Sequence, residues 1–198
     1  MNINELYSLW CEKAVDDPDL KQELISVADD SEGINDRFYR NLEFGTGGLR
    51  GVIGAGTNRM NIYTVRRATQ GFADYINEAF DKPSVAIAYD SRIKSDVFAK
   101  AAAGVFAANG IHVYIYGELM PTPMLSFAVR ELNCQAGVMV TASHNPSKYN
   151  GYKAYGADGC QLNLTDAETV IKKVNALDMF DGVKHIKFDD AVESGMVE

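Results

Sequence analysis

Apolar and polar positions along this chain fall into blocks whose period changes between 3.6 and 2. Between Asn61 and Phe80, the residues Val65, Ala68, Phe72, Tyr75, Ile76 and Phe80 recur near 3.6, which predicts one long helix. Three short apolar runs, 84–89, 112–116 and 136–140, read as buried strands. Between the first two, Ser95-Asp96 opens a helix through Ala108 that Asn109-Gly110 closes. After the second, Met120-Pro121-Thr122-Pro123-Met124 turns into a helix ending near Leu132. Strands and helices thus alternate, with connections long enough for crossovers, which predicts a three-layer α/β/α domain with a mostly parallel mixed sheet. A tight turn at Asn150-Gly151 returns the chain through Tyr152–Tyr155, expected as an antiparallel edge strand.

Outside this block the pattern is helical. Residues 2–30 present Leu6, Leu9, Trp10 and Val15 on one helix face, then Leu20, Leu24, Ile25 and Val27 on a second. Asp17 is the expected cap of that second helix, with Pro18 at its first position. This divides the chain into a helical arm, 1–32, and a main domain, 33–198. Thr165 to Leu177 reads as a last helix, with Thr165 and Glu168 as a capping box. Lys184–Phe188 is a candidate strand. Arg66 and Arg67 are expected as solvated helix charges.

Composition narrows the class. With 198 residues, 46% hydrophobic and 23% charged, the chain has the make-up of a soluble globular domain. A net charge of −8 argues against nucleic acid and anionic membranes as partners. No run is long enough for a membrane span, and the N-terminus lacks the regions of a signal peptide. Cys11, Cys134 and Cys160 form no Cys-x-x-Cys pair, fitting neither a disulfide framework nor zinc. Together these features predict a cytoplasmic protein.

The chemistry concentrates after Val140. There the buried strand runs into Thr141-Ala142-Ser143-His144-Asn145-Pro146, and Asn-Pro halts regular structure. Ser143 is therefore offered on a stiff turn at a strand's C-terminal end, where open α/β sheets place ligands. The returning segment carries Lys153 back beside it, and a hydroxyl, an imidazole and an amine on one turn suit phosphoryl transfer. A second stretch, Phe44-Gly45-Thr46-Gly47-Gly48-Leu49-Arg50-Gly51, lets backbone approach a ligand closely. It is neither a P-loop nor a dinucleotide fingerprint. Arg50 is its obvious phosphate partner, because a guanidinium fork can grip two oxygens. Asp90-Ser91-Arg92 lies at another strand end on the same expected rim.

The run from Thr141 to Pro146, followed by Asn150-Gly151-Tyr152-Lys153, resembles the active-site serine loop of the α-D-phosphohexomutases, the phosphoglucomutase and phosphomannomutase family. The glycine-rich stretch around Arg50 is similar to the segment that opens that family's first domain. The resemblance covers roughly 33–198. It implies that Ser143 carries a phosphoryl group and exchanges it with a sugar monophosphate through a bisphosphate. Hexose 1-phosphate and 6-phosphate would thereby interconvert. It further implies catalytic roles for Ser143, His144, Lys153 and Arg50, with Thr46, Gly47, Asn145 and Arg92 at substrate and phosphate. It also implies Mg²⁺ bridged to Ser143 through its phosphate. The family's Asp-Gly-Asp-x-Asp loop is absent from this sequence, so the chain is expected to be the first domain of a longer polypeptide, inactive without its other domains.

Two other classes compete. A serine hydrolase would need Gly-x-Ser-x-Gly, which is missing, and neighbouring side chains on an extended turn are expected to diverge. A non-catalytic phosphosugar-binding module would use the same residues without transfer.

Overall fold

In the computed structural model, which describes residues 1–198, three helices precede the sheet: α1 (Ile3–Lys13) and α2 (Pro18–Ser26) in the arm, and α3 (Ser31–Phe38), which runs across the expected boundary at 32/33. The chain continues through β1 (Gly48–Val52), α4 (Ile62–Ala79), β2 (Ser84–Tyr89), α5 (Ser95–Ala108) and β3 (His112–Ile115). It ends with α6 (Thr122–Glu131), β4 (Ala136–Val140), β5 (Tyr149–Gly156), α7 (Leu164–Ala176) and α8 (Phe188–Glu193). The sheet order is β1-β5-β4-β2-β3. β2 lies parallel to both β3 and β4, so the three expected core strands are neighbours.

Period-2 alternation makes the three layers. Val85, Ile87, Val138 and Val140 join the main core under α4 and α5, whereas Ala86, Ala88 and Met139 face the opposite way, toward Leu125 and Val129 of α6. Two small alanines on that second face leave room for one closely seated helix. Gly137 adds to it, since a Cβ there would lie 2.6 Å from Val129 Cγ2. One layer is therefore α4, α5 and α7 packed together, and the other is α6 on β2 and β4.

The sheet edge differs from expectation. The returning segment, β5, is antiparallel to β4 but is not at the edge, because β1 pairs antiparallel with its outer side. The glycine-rich stretch had no strand signal, since glycine is depleted in strands. It is recruited by the open hydrogen-bonding edge that β5 would otherwise expose. Lys184–Phe188 is not a strand; Ile186 N–H donates to Gly104 O at 3.2 Å. The open edge of β3 is taken instead by 196–198, with Val113 N–H to Met196 O at 2.9 Å and Ile115 N–H to Glu198 O at 2.8 Å.

Several local expectations also shift. The cap of α7 is Asn163, whose Oδ1 accepts from Asp166 N–H at 3.0 Å, rather than Thr165. The N-cap of α5 is Lys94, held left-handed at φ 59°, and Ser95 Oγ bonds Asp90 instead of capping. Arg67 is buried, with Nε donating to Leu177 O at 3.0 Å, and desolvation lowers its pKa. Arg66 pairs with Asp16. Val15 and Ile25, placed on apolar helix faces by period, point to solvent.

Trp10, Leu20 and Leu24 of the arm, with Ile34 and Phe38 of α3, belong to the same contiguous core as the sheet. The Trp10 ring meets Phe38 at 5.8 Å, Tyr63 at 5.6 Å and Phe180 at 5.3 Å, all edge-on. Phe180 is aimed there by a turn in which Asp178 Oδ1 accepts the N–H groups of Phe180 (2.9 Å) and Asp181 (3.1 Å). The Phe180 amide, then that of Asp181 and the charges of Lys13 and Arg67, hold the Asp178 carboxyl below its ordinary 3.8 against a desolvation that opposes them. A carboxylate whose folded pKa is depressed stabilises the fold above its unfolded pKa and loses that contribution as pH falls through the folded value. Acidification below pH 4 should therefore loosen the Phe180 turn, seen as a red shift of emission from Trp10, the only tryptophan. Phe180→Ala should give the same shift at neutral pH and cost at most about 3 kcal/mol, the low end for a fully buried phenylalanine, because the ring is only partly buried. Unchanged emission in that variant would show that the ring does not seal Trp10.

Candidate active site

Ser143 stands just past the end of β4, exposed, with φ 53°. A left-handed serine costs about 1–2 kcal/mol, so something must hold it there. Its N–H donates to Thr141 Oγ1 at 3.0 Å, and Thr141 Oγ1–H donates in turn to Asp90 Oδ2 at 2.6 Å. Asp90 Oδ1 accepts from the Arg92 N–H at 3.1 Å and from Ser95 Oγ at 3.0 Å. Asn150, fully buried, donates to Ser95 Oγ at 2.9 Å and to Ile93 O at 3.0 Å. Each bond contributes roughly 0.5–1.5 kcal/mol net, and together they tie the β2–α5 turn to the Ser143 loop. Asp90, Thr141 and Asn150 were given no role on sequence grounds. The signal for Asp90 was its place at a strand end. Asn150 and Gly151, expected as a tight turn, instead lie inside β5, paired with β1, and the chain turns earlier, at 147–148.

Arg92, expected at phosphate, is otherwise engaged. Its guanidinium donates to the carbonyls of Ser143, Asn145 (2.8 Å), Pro146 (3.2 Å) and Tyr149 (3.1 Å). It also lies 3.6 Å from Asp90 Oδ2. The side chain is 13% exposed.

Arg50 reaches the loop from the sheet edge. Antiparallel pairing places Arg50 opposite Gly151, and Thr141 N–H donates to Gly151 O at 3.0 Å, so Arg50 sits level with the end of β4. Its Nη1 donates to Asn145 Oδ1 at 2.9 Å. Lys153 pairs with Met139 on one side and Gly48 on the other. Facing residues of an antiparallel pair share a face, as do residues two apart, so Arg50 and Lys153 lie on the face that carries Met139. That is the α6 face, but α6 packs on β2 and β4, and toward β5 and β1 the face opens into a cleft of about 530 Å³. Arg50, Thr141, Lys153, Thr46 and Gly47 line it, together with Arg40, which sequence reasoning left unassigned. Gly48 permits the close strand approach: its φ is +146°, and a Cβ would fall 1.8 Å from Tyr152 O.

His144 is exposed, and its Nδ1 lies 3.4 Å from Ser143 Oγ. The expected divergence of the two side chains is thus not observed, because the left-handed turn at Ser143 swings them to the same side. A hydrolase triad would still need an acid on the imidazole, and the only histidine–carboxylate pairs are His112–Glu198 and His185–Asp16. No group of three or more His, Cys, Asp or Glu side chains could hold a metal. Asp90, the carboxylate nearest the loop, is saturated by the bonds above. The residues of this chain therefore do not build a magnesium site by themselves. No helix is long and apolar enough to cross a membrane.

Fold and site together define a three-layer α/β domain with an exposed serine on a braced turn at the sheet's C-terminal rim, beside a cationic cleft. Comparison with known proteins gives the family. Residues 41–180 match the family model described as phosphoglucomutase/phosphomannomutase, alpha/beta/alpha domain I, and the chain belongs to that family. It is 46% identical over 140 residues to a phosphoglucomutase of Staphylococcus haemolyticus (strain JCSC1435), covering 71% of this chain and 26% of that protein. To the phosphoglucomutase of Staphylococcus aureus (strain USA300) it is 43% identical over 165 residues, covering 83% of this chain and 29% of that protein. Among solved structures, a protein of Thermus thermophilus described as a candidate phosphomannomutase superposes with TM-score 0.66 at 32% identity. That match covers 74% of this chain and 32% of the other. The chain thus spans under a third of the length of these relatives.

The cleft depends on β1 staying paired. Gly48→Ala should break that pairing, raising amide exchange across 48–52 and lowering stability by more than about 1 kcal/mol, because the residue is incompatible with the φ it must adopt. Unaltered exchange in β1 would contradict the close approach at Tyr152 O.

Proposed function

We propose that this chain is the phosphoryl-carrying domain of a phosphohexose mutase. The observation that carries the reading is Ser143, exposed on a left-handed turn whose neighbour Asn145 is hydrogen-bonded to Arg50 at the cleft. In the forward half-reaction the bond between phosphorus and Ser143 Oγ breaks as one forms to a hydroxyl oxygen of a hexose monophosphate. That hydroxyl loses its proton, and Ser143 is left as an alkoxide to be protonated. The resulting bisphosphate reorients and the steps run backwards from its other phosphate, giving the isomeric monophosphate. Hexose 1-phosphate and 6-phosphate are the substrates that the family and the relatives' names support.

Phosphoryl transfer requires in-line placement and charge stabilisation more than covalent work by the protein. Arg50 is assigned to the oxygens of the transferring group, where its planar fork can make two charge-assisted bonds. Lys153, on the same face and lining the same cleft, is assigned to the sugar hydroxyl and its proton. His144 donates to the Ser143 oxygen or its phosphate. Thr46, Gly47 and Asn145 are assigned to phosphate and substrate, with Thr46 and Gly47 on the cleft wall and Asn145 orienting Arg50. Magnesium, when bound, would neutralise charge on the phosphoserine oxygens. Since this chain contributes only that one ligand, the others would come from further domains of the same polypeptide. The unpaired state of Cys11, Cys134 and Cys160 supports a reducing, cytoplasmic setting.

Ser143 should be the residue that carries phosphate in the mutase polypeptide, and Ser143→Ala should abolish turnover. Arg50→Ala should slow phosphoryl exchange by about 10²–10³-fold, the loss typical for one donor to a developing charge. Intact mass with site mapping, and exchange with labelled hexose bisphosphate, test both. Phosphate found at Ser91 or Ser147 instead would overturn the assignment. So would hexose phosphate that binds without any exchange of label, the signature of a binding module.

The chain alone should fold without catalysing. Enzymes accelerate phosphate monoester cleavage by up to ~10²¹, about 29 kcal/mol at 1.36 per decade. Each hydrogen bond to a charged group adds only about 1.5–3 kcal/mol, so Arg50 and Lys153 fall far short. A coupled glucose 1-phosphate assay on the 198 residues, with magnesium and glucose 1,6-bisphosphate supplied, should show no turnover above background. Turnover at the rate of a whole mutase would place the complete machinery inside this chain.

A further inference from the structure

Four N–H groups of one guanidinium meet four carbonyls of one loop at the rim of the sheet: Arg92 Nη1 donates to Pro146 and Tyr149, and Nη2 to Ser143 and Asn145. Nε faces the Asp90 carboxylate at 3.6 Å. A guanidinium has five N–H groups; four are engaged by the loop and the fifth is turned toward a carboxylate, a surrounding that disfavours a phosphate. We propose that Arg92 is a positioning residue. It sets the backbone of 143–149, and with it the direction of Ser143 Oγ, and it does not bind the substrate.

The geometry supports this assignment independently of burial. The loop crosses from β4 to β5 through Pro146, which supplies no N–H, and with few cross-loop backbone bonds: Asn145 N–H to Ala142 O at 3.1 Å and Tyr149 N–H to Pro146 O at 2.9 Å. Its carbonyls are left pointing inward, toward Arg92, and a cluster of converging carbonyl dipoles requires a cation with directional donors. A lysine carries the charge but only three N–H groups, without the planar fork. The bond to Ser143 O also acts on the residue whose left-handed backbone is least stable in isolation. Arg92 thus pulls the carbonyl of Ser143 inward while Thr141 holds its N–H. The side chain is left projecting outward. Asp90 links the two restraints, accepting from Thr141 Oγ1 and facing Arg92.

This inference rests on the reading of Ser143 as the phosphoryl carrier, and its test separates the two. In the 198-residue chain, Arg92→Ala should raise amide exchange over 143–149 by at least about 10-fold while β2 and β4 keep their protection, the mark of a local opening. Arg92→Lys should fall between, and it keeps the test usable where the alanine variant does not fold. In the mutase polypeptide, Arg92→Ala should lower kcat about 100-fold, the scale of an ångström-sized misplacement, with KM for hexose phosphate unchanged. Added guanidinium ion should restore part of the lost rate.

A raised KM with unchanged kcat and unchanged exchange would make Arg92 a phosphate ligand and overturn the proposal. Uniformly faster exchange across β2 and β4 with no kcat-specific loss would overturn it in favour of a general structural role. If wild-type polypeptide carries no phosphate on Ser143, the functional reading fails, and localised exchange at 143–149 still decides what Arg92 holds.

Discussion

The antiparallel return of β5 along β4 is the constraint on which the rest of the structure depends. A strand has period 2, so its register decides which side chains share a face, and a slip of one residue would move each to the opposite side. With Met139 opposite Lys153 and Val140 opposite Tyr152, Lys153 emerges on the open face while Tyr152 is buried in the core. β5 then dictates β1 in turn, setting Arg50 against Gly151. Two cations far apart along the chain thereby reach the same side of the sheet.

Asymmetry of the layers makes this register useful. The face under α4, α5 and α7 is filled by branched and aromatic side chains, and there the sheet is fully covered. The other face carries alanines and glycine under a single helix, so its β5–β1 half opens into the cleft. A chain of net charge −8 can thus line this cleft with Arg40, Arg50 and Lys153 against a single carboxylate, Glu43. Local potential follows the few groups that line a concave site, and net charge bears on solubility and nonspecific partners.

The helical arm and α3 act on the same region from behind. Glu23 of α2 accepts from Ala55 N–H at 2.8 Å and from Arg37 at 2.7 Å, bracing the loop that leaves β1. Asn58 N–H donates to Arg37 O at 2.9 Å and Thr57 Oγ1 to Arg40 O at 2.7 Å. The edge strand bearing Arg50 is consequently clamped between β5 and the arm, although it contains two glycines and little apolar surface of its own.

What the sequence determined by itself is the set of features written in local pattern. The 3.6-residue period placed α4, the apolar runs placed β2, β3 and β4, and Asp17-Pro18 placed the start of α2. The strand-to-turn change at Thr141 marked Ser143, and the motif around it marked the family. Tertiary structure alone decided what depends on partners far along the chain. β1 is a strand because β5 offers it an edge, and Lys184–Phe188 is not one because residues 196–198 occupy the edge of β3. Arg92 could be read from sequence as a cation on the rim, but a guanidinium's role is set by the acceptors around it. Here these are four carbonyls, of Ser143, Asn145, Pro146 and Tyr149, brought to it by the β4–β5 return. The left-handed turn that swings His144 toward Ser143 Oγ has the same origin, because no local preference favours that backbone for serine and only the surrounding bonds hold it.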